Sequence, residues 1–194
     1  MSRLAQAVLV LVVTAYPFAV YFGIQYLSLG YLLALLLAVA GLRLVFMLRG
    51  NAKDSAGGRI GAGALAAILA VLAATSWLRG DSAGLLWYPV FCNLLMLGIF
   101  AHSLLFQSQS VIERLARIRE PDLPESGVAY TRRVTQVWCG FFLVNGLIAT
   151  ATVLHGDLDL WALYNGLLSY LLMGLLLAVE WLVRGRVRRQ AAAS

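Results

Sequence analysis

Four side chains that could bind a ligand stand within strongly apolar stretches of this 194-residue chain. The set comprises Asn93, Asn145, Tyr164 and Asn165. Polar groups in hydrocarbon surroundings are costly, so they either hydrogen-bond between helices or line a site for a ligand. If the segments that carry them face one another, they form one polar pocket. Interhelical hydrogen bonds alone would also explain them, and the sequence leaves both interpretations open.

No catalytic motif accompanies these residues. The sequence contains no Gly-rich phosphate loop with Lys, no HExxH, no paired cysteines at zinc spacing and no Gly-x-Ser-x-Gly elbow. His102 and His155 are expected on opposite sides of the membrane, so they cannot share a metal ion. We therefore predict no catalytic residue, no metal and no cofactor. A membrane-bound enzyme is the least favoured option, because its acid–base set would have to come from Arg43, Glu180 and His102.

Two charged residues, Arg43 and Glu180, also lie inside apolar stretches. They could form an ion pair between helices. In the simpler arrangement, Arg43 extends its aliphatic stem to the membrane interface, while Glu180 pairs with Arg184 one helical turn later. We predict the second arrangement.

The elements that must position these residues are six apolar segments. They cover residues 4–27, 31–48, 60–78, 85–106, 134–154 and 161–183, and are numbered here span 1 to span 6. Each can cross a hydrocarbon core of about 30 Å, which requires about 20 residues of helix. Hydrophobic residues make up 61% of the chain and charged residues only 12%. We expect a single all-α membrane domain over residues 1–194, with span 1 a retained helix and not a cleaved leader.

The distribution of charge predicts the orientation of the spans. Basic residues gather before span 1, between spans 2 and 3, between spans 4 and 5, and after span 6, whereas the alternate loops hold one Arg and three Asp. Positive charge in alternate loops marks the cytoplasmic side, so both termini are expected there. Anionic lipid head groups account for the net charge of +6 without nucleic acid.

Residues 110–119 predict an amphipathic helix lying at the membrane surface. One face carries Val111, Ile112, Leu115 and Ile118, and Glu113, Arg114 and Arg117 cover the other. The prolines at 121 and 124 end this helix. It is either a connector or, together with Arg132 and Arg133, a basic platform that faces lipid head groups and cytosolic partners.

Small residues recur every four positions in span 3. They are Ala62, Ala66, Ala70 and Ala74. Such a stripe lets two helix backbones approach closely. The partner helix belongs either to this chain or to a second copy, which would make an oligomer.

Several short motifs resemble those of the bacterial intracellular septation protein A family. They are Pro89-Val90-Phe91-Cys92-Asn93, Val111-Ile112-Glu113-Arg114-Leu115, Tyr130-Thr131-Arg132-Arg133, Trp138-Cys139-Gly140-Phe141-Phe142, Trp161-Ala162-Leu163-Tyr164 and Trp181-Leu182-Val183-Arg184. The chain is more similar still to a group of predicted bacterial membrane proteins related to that family, whose genes often accompany fatty-acid-like or aryl-polyene synthesis genes. At 165, Asn stands where the family pattern has Lys.

This resemblance implies a multipass inner-membrane protein without enzymatic activity. Such a protein would organise or assist the synthesis of envelope lipid or polyene lipid, with synthesis or division proteins as partners. The alternative is a small transporter or flippase for an amphipathic, lipid-like molecule, bound by Asn93, Asn145, Tyr164 and Asn165. Neither an inverted repeat nor a pair of broken helices, which transporters favour, is evident in the sequence.

Overall fold

The computed structural model describes residues 56–118 and 120–193, together with positions 21–23, 26, 31, 38 and 41. All regular secondary structure in these ranges is helical, which confirms the all-α class. The predictions for Arg43 and for most of spans 1 and 2 lie outside the described residues.

Six α-helices follow one another in the part of the chain from residue 56 onward. They are α1 (Ala56–Arg79), α2 (Tyr88–Phe106), α3 (Val111–Arg117), α4 (Glu125–His155), α5 (Leu158–Leu163) and α6 (Ser169–Ala193). A 3-10 turn, Ala83–Trp87, precedes α2, and a π-helical turn, Tyr164–Leu168, joins α5 to α6 as one continuous helix.

Three stretches are long and apolar enough to cross a membrane. They are Ala83–Phe106, Glu125–His155 and Leu158–Arg186, which contain spans 4, 5 and 6. The apolar part of α1, Ala67–Arg79, is shorter. Large apolar side chains on these helices remain exposed, such as Leu147, Leu175 and Trp181. These helices therefore have the length and the apolar outer surface of a membrane protein.

Helix α4 starts well before the predicted span 5. It begins at Glu125, whereas the apolar segment begins at residue 134. Residues 125–133 include three charged side chains, which excludes them from the apolar segment, but no proline follows Pro124, so helical hydrogen bonding continues. The connection after α2, predicted to run to residue 133, is accordingly shorter.

A compact cluster joins α1 to the ends of α2 and α5. Trp161 is fully buried there among Leu72, Leu85 and Tyr88. Its indole Nε1 donates a hydrogen bond of 3.0 Å to the carbonyl of Leu86, so the ring buries a large area and keeps its polar atom paired. This contact fixes the start of the last helix against the 3-10 turn.

Helices α2 and α4 form the closest helix pair in the described part of the chain. At their contact, a Cβ added to Gly146 would lie 3.2 Å from Cβ of Asn93, so glycine permits this approach. Further along, Phe100 of α2 packs edge-to-face on Phe142 of α4, with ring centroids 5.2 Å apart, and also meets Trp138. The α2–α4 pair is therefore the framework on which the polar residues are placed.

The small-residue stripe of α1 does not face the protein interior at the two positions whose side chains are described. Ala70 and Ala74 are exposed, whereas Leu69, Leu72 and Ala73 of the same helix are buried. Close approach of a second helix to the stripe stays a prediction.

Candidate functional site

Three of the four polar residues singled out in the sequence form one hydrogen-bonded chain across three helical elements. Asn145 of α4 donates from Nδ2 to Oδ1 of Asn93 on α2 over 3.0 Å. Tyr164, in the π-helical turn, donates its hydroxyl to Oδ1 of Asn145 over 2.8 Å. Asn93 in turn donates to the carbonyl of Pro89 over 2.8 Å. All three side chains are buried, so the chain replaces water as their hydrogen-bond partner.

Asn165 lies next to this chain but belongs to a second set of hydrogen bonds. Its Nδ2 donates to Oγ1 of Thr152 on α4 over 3.1 Å and to the carbonyl of Trp161 over 2.9 Å. Its own carbonyl accepts from the hydroxyl of Ser169. The four residues therefore lie together in one polar region, as two networks and not as one pocket wall.

The π-helical turn explains how neighbouring residues of one helix both point inward. The backbone N–H of Ser169 bonds to the carbonyl of Tyr164, five residues earlier, instead of four. Three consecutive residues, Tyr164, Asn165 and Gly166, are therefore all buried. Such turns are frequent at functional sites, and here the turn delivers two polar side chains to the interior.

One side of the polar region opens into an apolar groove of about 490 Å³ between α4 and the last helix. Asn145 and Tyr164 contribute its polar lining. The rest of the wall is apolar and includes Phe141, Ile148, Leu172, Leu176 and Val179. A groove of this volume falls within the range of small-molecule sites, roughly 300–1,000 Å³. Its mouth and walls suit a hydrophobic chain with one hydrogen-bonding group.

The opposite end of the molecule carries α3, held by two serines. Ser110 caps the helix by accepting from the backbone N–H of Glu113 over 3.3 Å. Ser103, near the end of α2, accepts from the N–H of Val111 over 3.2 Å. These bonds satisfy orphan donors of the first turn and fix α3 to α2.

The orientation of α3 corrects one prediction. Glu113, expected on the solvent-facing side with the arginines, is only 4% exposed. It accepts a 2.9 Å hydrogen bond from Nε of Arg117, so its charge is compensated. Ala116 shares the buried face, whereas Leu115 and Ile118 are exposed and Val111 and Ile112, predicted on the same side, are half-buried.

The four basic residues of the predicted platform fall into two classes. Arg117 is occupied by Glu113 and by the carbonyl of Pro121, 2.9 Å from its Nη1. Arg132 donates from Nη2 to the carbonyl of Leu104 over 3.0 Å. Arg114 and Arg133 are exposed and make no hydrogen bond or ion pair with any other described residue. Within the described residues, their charges are therefore not compensated by a direct contact.

Glu180 contacts a residue that sequence reasoning did not consider. The hydroxyl of Tyr130 on α4 lies 3.3 Å from Oε1 of Glu180 and 3.3 Å from its carbonyl oxygen. The predicted ion pair with Arg184 is not among the ion pairs of the described residues. Within the described residues, the Tyr130 phenol of α4, and not the predicted Arg184 of α6, is therefore the hydrogen-bond partner of the Glu180 side chain.

His102 has a different partner from Glu180. Its Nδ1 lies 3.3 Å from the amide nitrogen of Gln107, and its ring packs against Phe106, with centroids 5.2 Å apart. Within the described residues, no group of three His, Cys, Asp or Glu side chains could hold a metal ion. The contacts of His102 and Glu180 therefore do not bring these two side chains together as an acid–base set.

Several contributors to these sites escaped sequence reasoning. Thr152 and Asn165 lie on either side of the turn at Gly156, and an antiparallel helix pair brings such positions opposite each other. That reflection about the turn is the signal that could have identified Thr152 as the partner of Asn165.

Comparison of the chain with protein-family models, with curated proteins and with solved structures gave no match.

Proposed function

We propose that this chain is a non-enzymatic, multipass protein of the bacterial inner membrane that organises synthesis of envelope or polyene lipid. In this proposal six spans cross the membrane and both termini are cytoplasmic, as the alternation of basic loops predicts. The resemblance to the septation protein A family supports the setting. Three helices long and apolar enough to span a membrane are consistent with it.

The observation that carries the proposal is the attachment of α3. Its first turn is hydrogen-bonded to Ser103 of α2, and the side chain of Glu113, within α3 itself, is buried. A flexible connector would need neither contact. Fixing this short helix costs conformational entropy, which a surface for recognition would justify.

The fixed helix presents a defined chemical surface. Arg114 is exposed on α3, Arg133 is exposed near the start of α4, and Leu115 and Ile118 expose apolar side chains. We assign the two arginines to an acidic patch on a cytosolic or membrane-bound enzyme. The two apolar side chains lie in the acyl boundary and keep the helix at the membrane surface.

The test is recovery of partners from the native host in mild detergent. The double variant R114Q/R133Q is expected to lose lipid-synthesis or division enzymes that the unmodified protein recovers. The double variant R184Q/R186Q removes the same charge from α6 and should retain them. Equal recovery with R114Q/R133Q and with the unmodified protein, at equal membrane insertion, would reject the platform.

The apolar groove beside Asn145 and Tyr164 favours a second candidate, transport of an amphipathic, lipid-like molecule. Asn145→Leu would remove one of the two hydrogen-bonding side chains from the groove lining and leave Tyr164. If transport is the function, this variant stops movement of a fluorescent lipid across proteoliposomes, whereas R114Q/R133Q does not. Co-purification of a stoichiometric lipid-like molecule without any protein partner would also favour transport.

A further inference from the structure

A second groove, of about 360 Å³, lies between α2 and α4 near the end of α2. Its lining residues are Ala101, Leu104 and Leu105 of α2 and Arg132, Gln136 and Cys139 of α4. On α4 successive lining positions are separated by four and three residues, and on α2 Leu104 and Leu105 follow Ala101 by three and four, so each wall is one helical face. Polar side chains occupy one end of the α4 wall, and the α2 wall is apolar throughout.

Arg132 has most of its hydrogen-bonding capacity available. A guanidinium carries five N–H donors. One hydrogen bond, to the carbonyl of Leu104, is formed within the described residues. That carbonyl belongs to the last turn of α2, where the carbonyl groups have no hydrogen-bond donor within the helix. The bond holds the guanidinium at the mouth of the groove and leaves its other donors for a ligand.

We propose that this groove binds one anionic phospholipid. The phosphate contacts Arg132 and Gln136, and an acyl chain lies along Ala101, Leu105 and Cys139. From Arg132 to Cys139 the helix rises about 10 Å at ~1.5 Å per residue, which covers most of one leaflet of a core about 30 Å thick. A soluble phosphate would use the arginine but not the apolar wall beyond it.

This inference rests on the membrane placement in the proposed function, but not on the partner platform. Arg132 belongs to the predicted basic platform but is not one of the two arginines assigned to the partner, Arg114 and Arg133, so the two proposals can fail separately. Basic pockets between helices at a membrane interface are a known way of recognising anionic head groups.

The test titrates phosphatidylglycerol into nanodiscs of phosphatidylcholine that hold the full chain, and native mass spectrometry counts the lipids retained. We expect one phosphatidylglycerol per chain. Arg132→Gln should weaken its retention about ten-fold, the usual effect of losing a charged hydrogen bond. Arg186→Gln, which removes an exposed charge from α6, should leave it unchanged. Equal retention by R132Q and the unmodified protein, or equal loss in R186Q, overturns the site.

Two further variants test whether the ligand is a lipid. Ala101→Phe and Cys139→Phe fill the apolar part of the groove from opposite walls and keep Arg132. Loss of phosphatidylglycerol in a variant that elutes as the folded protein supports the proposal, and undiminished retention in both contradicts it. If neither folds, competition by inorganic phosphate decides: displacement of the lipid identifies a soluble-anion site, and no displacement supports the lipid.

Discussion

Asn93 and Asn145 join α2 to α4 through a buried amide–amide hydrogen bond of 3.0 Å. The bond lies directly beside Gly146, whose missing side chain lets Asn93 pack against the backbone of α4. Close backbone approach and a polar bridge therefore occur at one level of the helix pair. Both are means by which helices associate where burial of apolar surface from water provides no driving force.

Leucine substitutions at 93 and 145 test whether this pair acts as a unit. Each of Asn93→Leu and Asn145→Leu leaves a buried amide without its partner, which we expect to cost about 1–2 kcal/mol of unfolding free energy. The double variant should lose less than the sum, with a coupling of about 0.6–1.7 kcal/mol. Reversible unfolding in mixed detergent micelles measures all three.

A control pair defines the baseline for that cycle. Ser169→Ala removes the bond to the carbonyl of Asn165 and does not touch the Asn93 amide. Its combination with Asn93→Leu should be additive within about 0.5 kcal/mol. If the Asn93 and Asn145 substitutions are just as additive, the amides do not stabilise the helix pair through each other.

Glycine substitutions on α4 distinguish close packing from helix propensity. In Gly146→Ala the new Cβ lies 3.2 Å from Cβ of Asn93, so α2 must shift, and we expect a loss of about 1 kcal/mol or more. In Gly140→Ala no atom lies within 4 Å of the new Cβ, and better helix propensity should leave stability equal or slightly higher. Unfolding of both variants under one condition is the measurement. Equal effects would contradict the close approach.

Hydropathy placed the last three predicted spans in helices that are long and apolar enough to cross a membrane. It placed the start of α4 too late, since residues 125–133 include three charged side chains but no proline. Of the four apolar side chains that periodicity placed on one side of α3, Leu115 and Ile118 are exposed, whereas Val111 and Ile112 are half-buried. Periodicity failed at Glu113, because an ion pair with Arg117 offsets the cost of burying the carboxylate.

The polar residues could be selected from the sequence, but their pairing could not. Asn93, Asn145 and Tyr164 stand out because amides and phenols are unusual in apolar runs. Which of them meet depends on the π-helical turn, which moves Tyr164 and Asn165 together into the interior. No periodic pattern in the sequence indicates such a turn. The sequence is therefore compatible with one polar pocket, whereas the fold forms two adjacent hydrogen-bond networks.

Tyr130→Phe tests the contact that closes the end of the α4–α6 space. Removing the hydroxyl leaves Glu180 without its side-chain hydrogen bond at 3.3 Å. We expect faster backbone exchange over residues 176–184 and a loss of about 1 kcal/mol. Glu180→Ala should have a similar effect, and the double variant little more. Glu125→Gln, at an exposed carboxylate, is the control. Unchanged exchange in Tyr130→Phe would show that the phenol does not hold these helices together.

Ser110→Ala separates the position of α3 from its charge. The substitution removes the cap that accepts from the N–H of Glu113, a loss of about 1 kcal/mol, and a helix of 7 residues has little else to keep it formed. Hydrogen exchange over residues 111–117 should rise, whereas Ser108→Ala, at an exposed neighbour, should leave it unchanged.

The same variant extends the test of the partner platform. Arg114 and Arg133 keep their charges in Ser110→Ala, so non-specific attraction to an acidic surface would persist. If partners recognise the arrangement of α3, recovery of host enzymes falls with Ser110→Ala as it does with R114Q/R133Q. Faster hydrogen exchange with unchanged recovery of host enzymes would show that partners bind only the basic charge of this loop. The fixed orientation of α3 would then not contribute to partner binding.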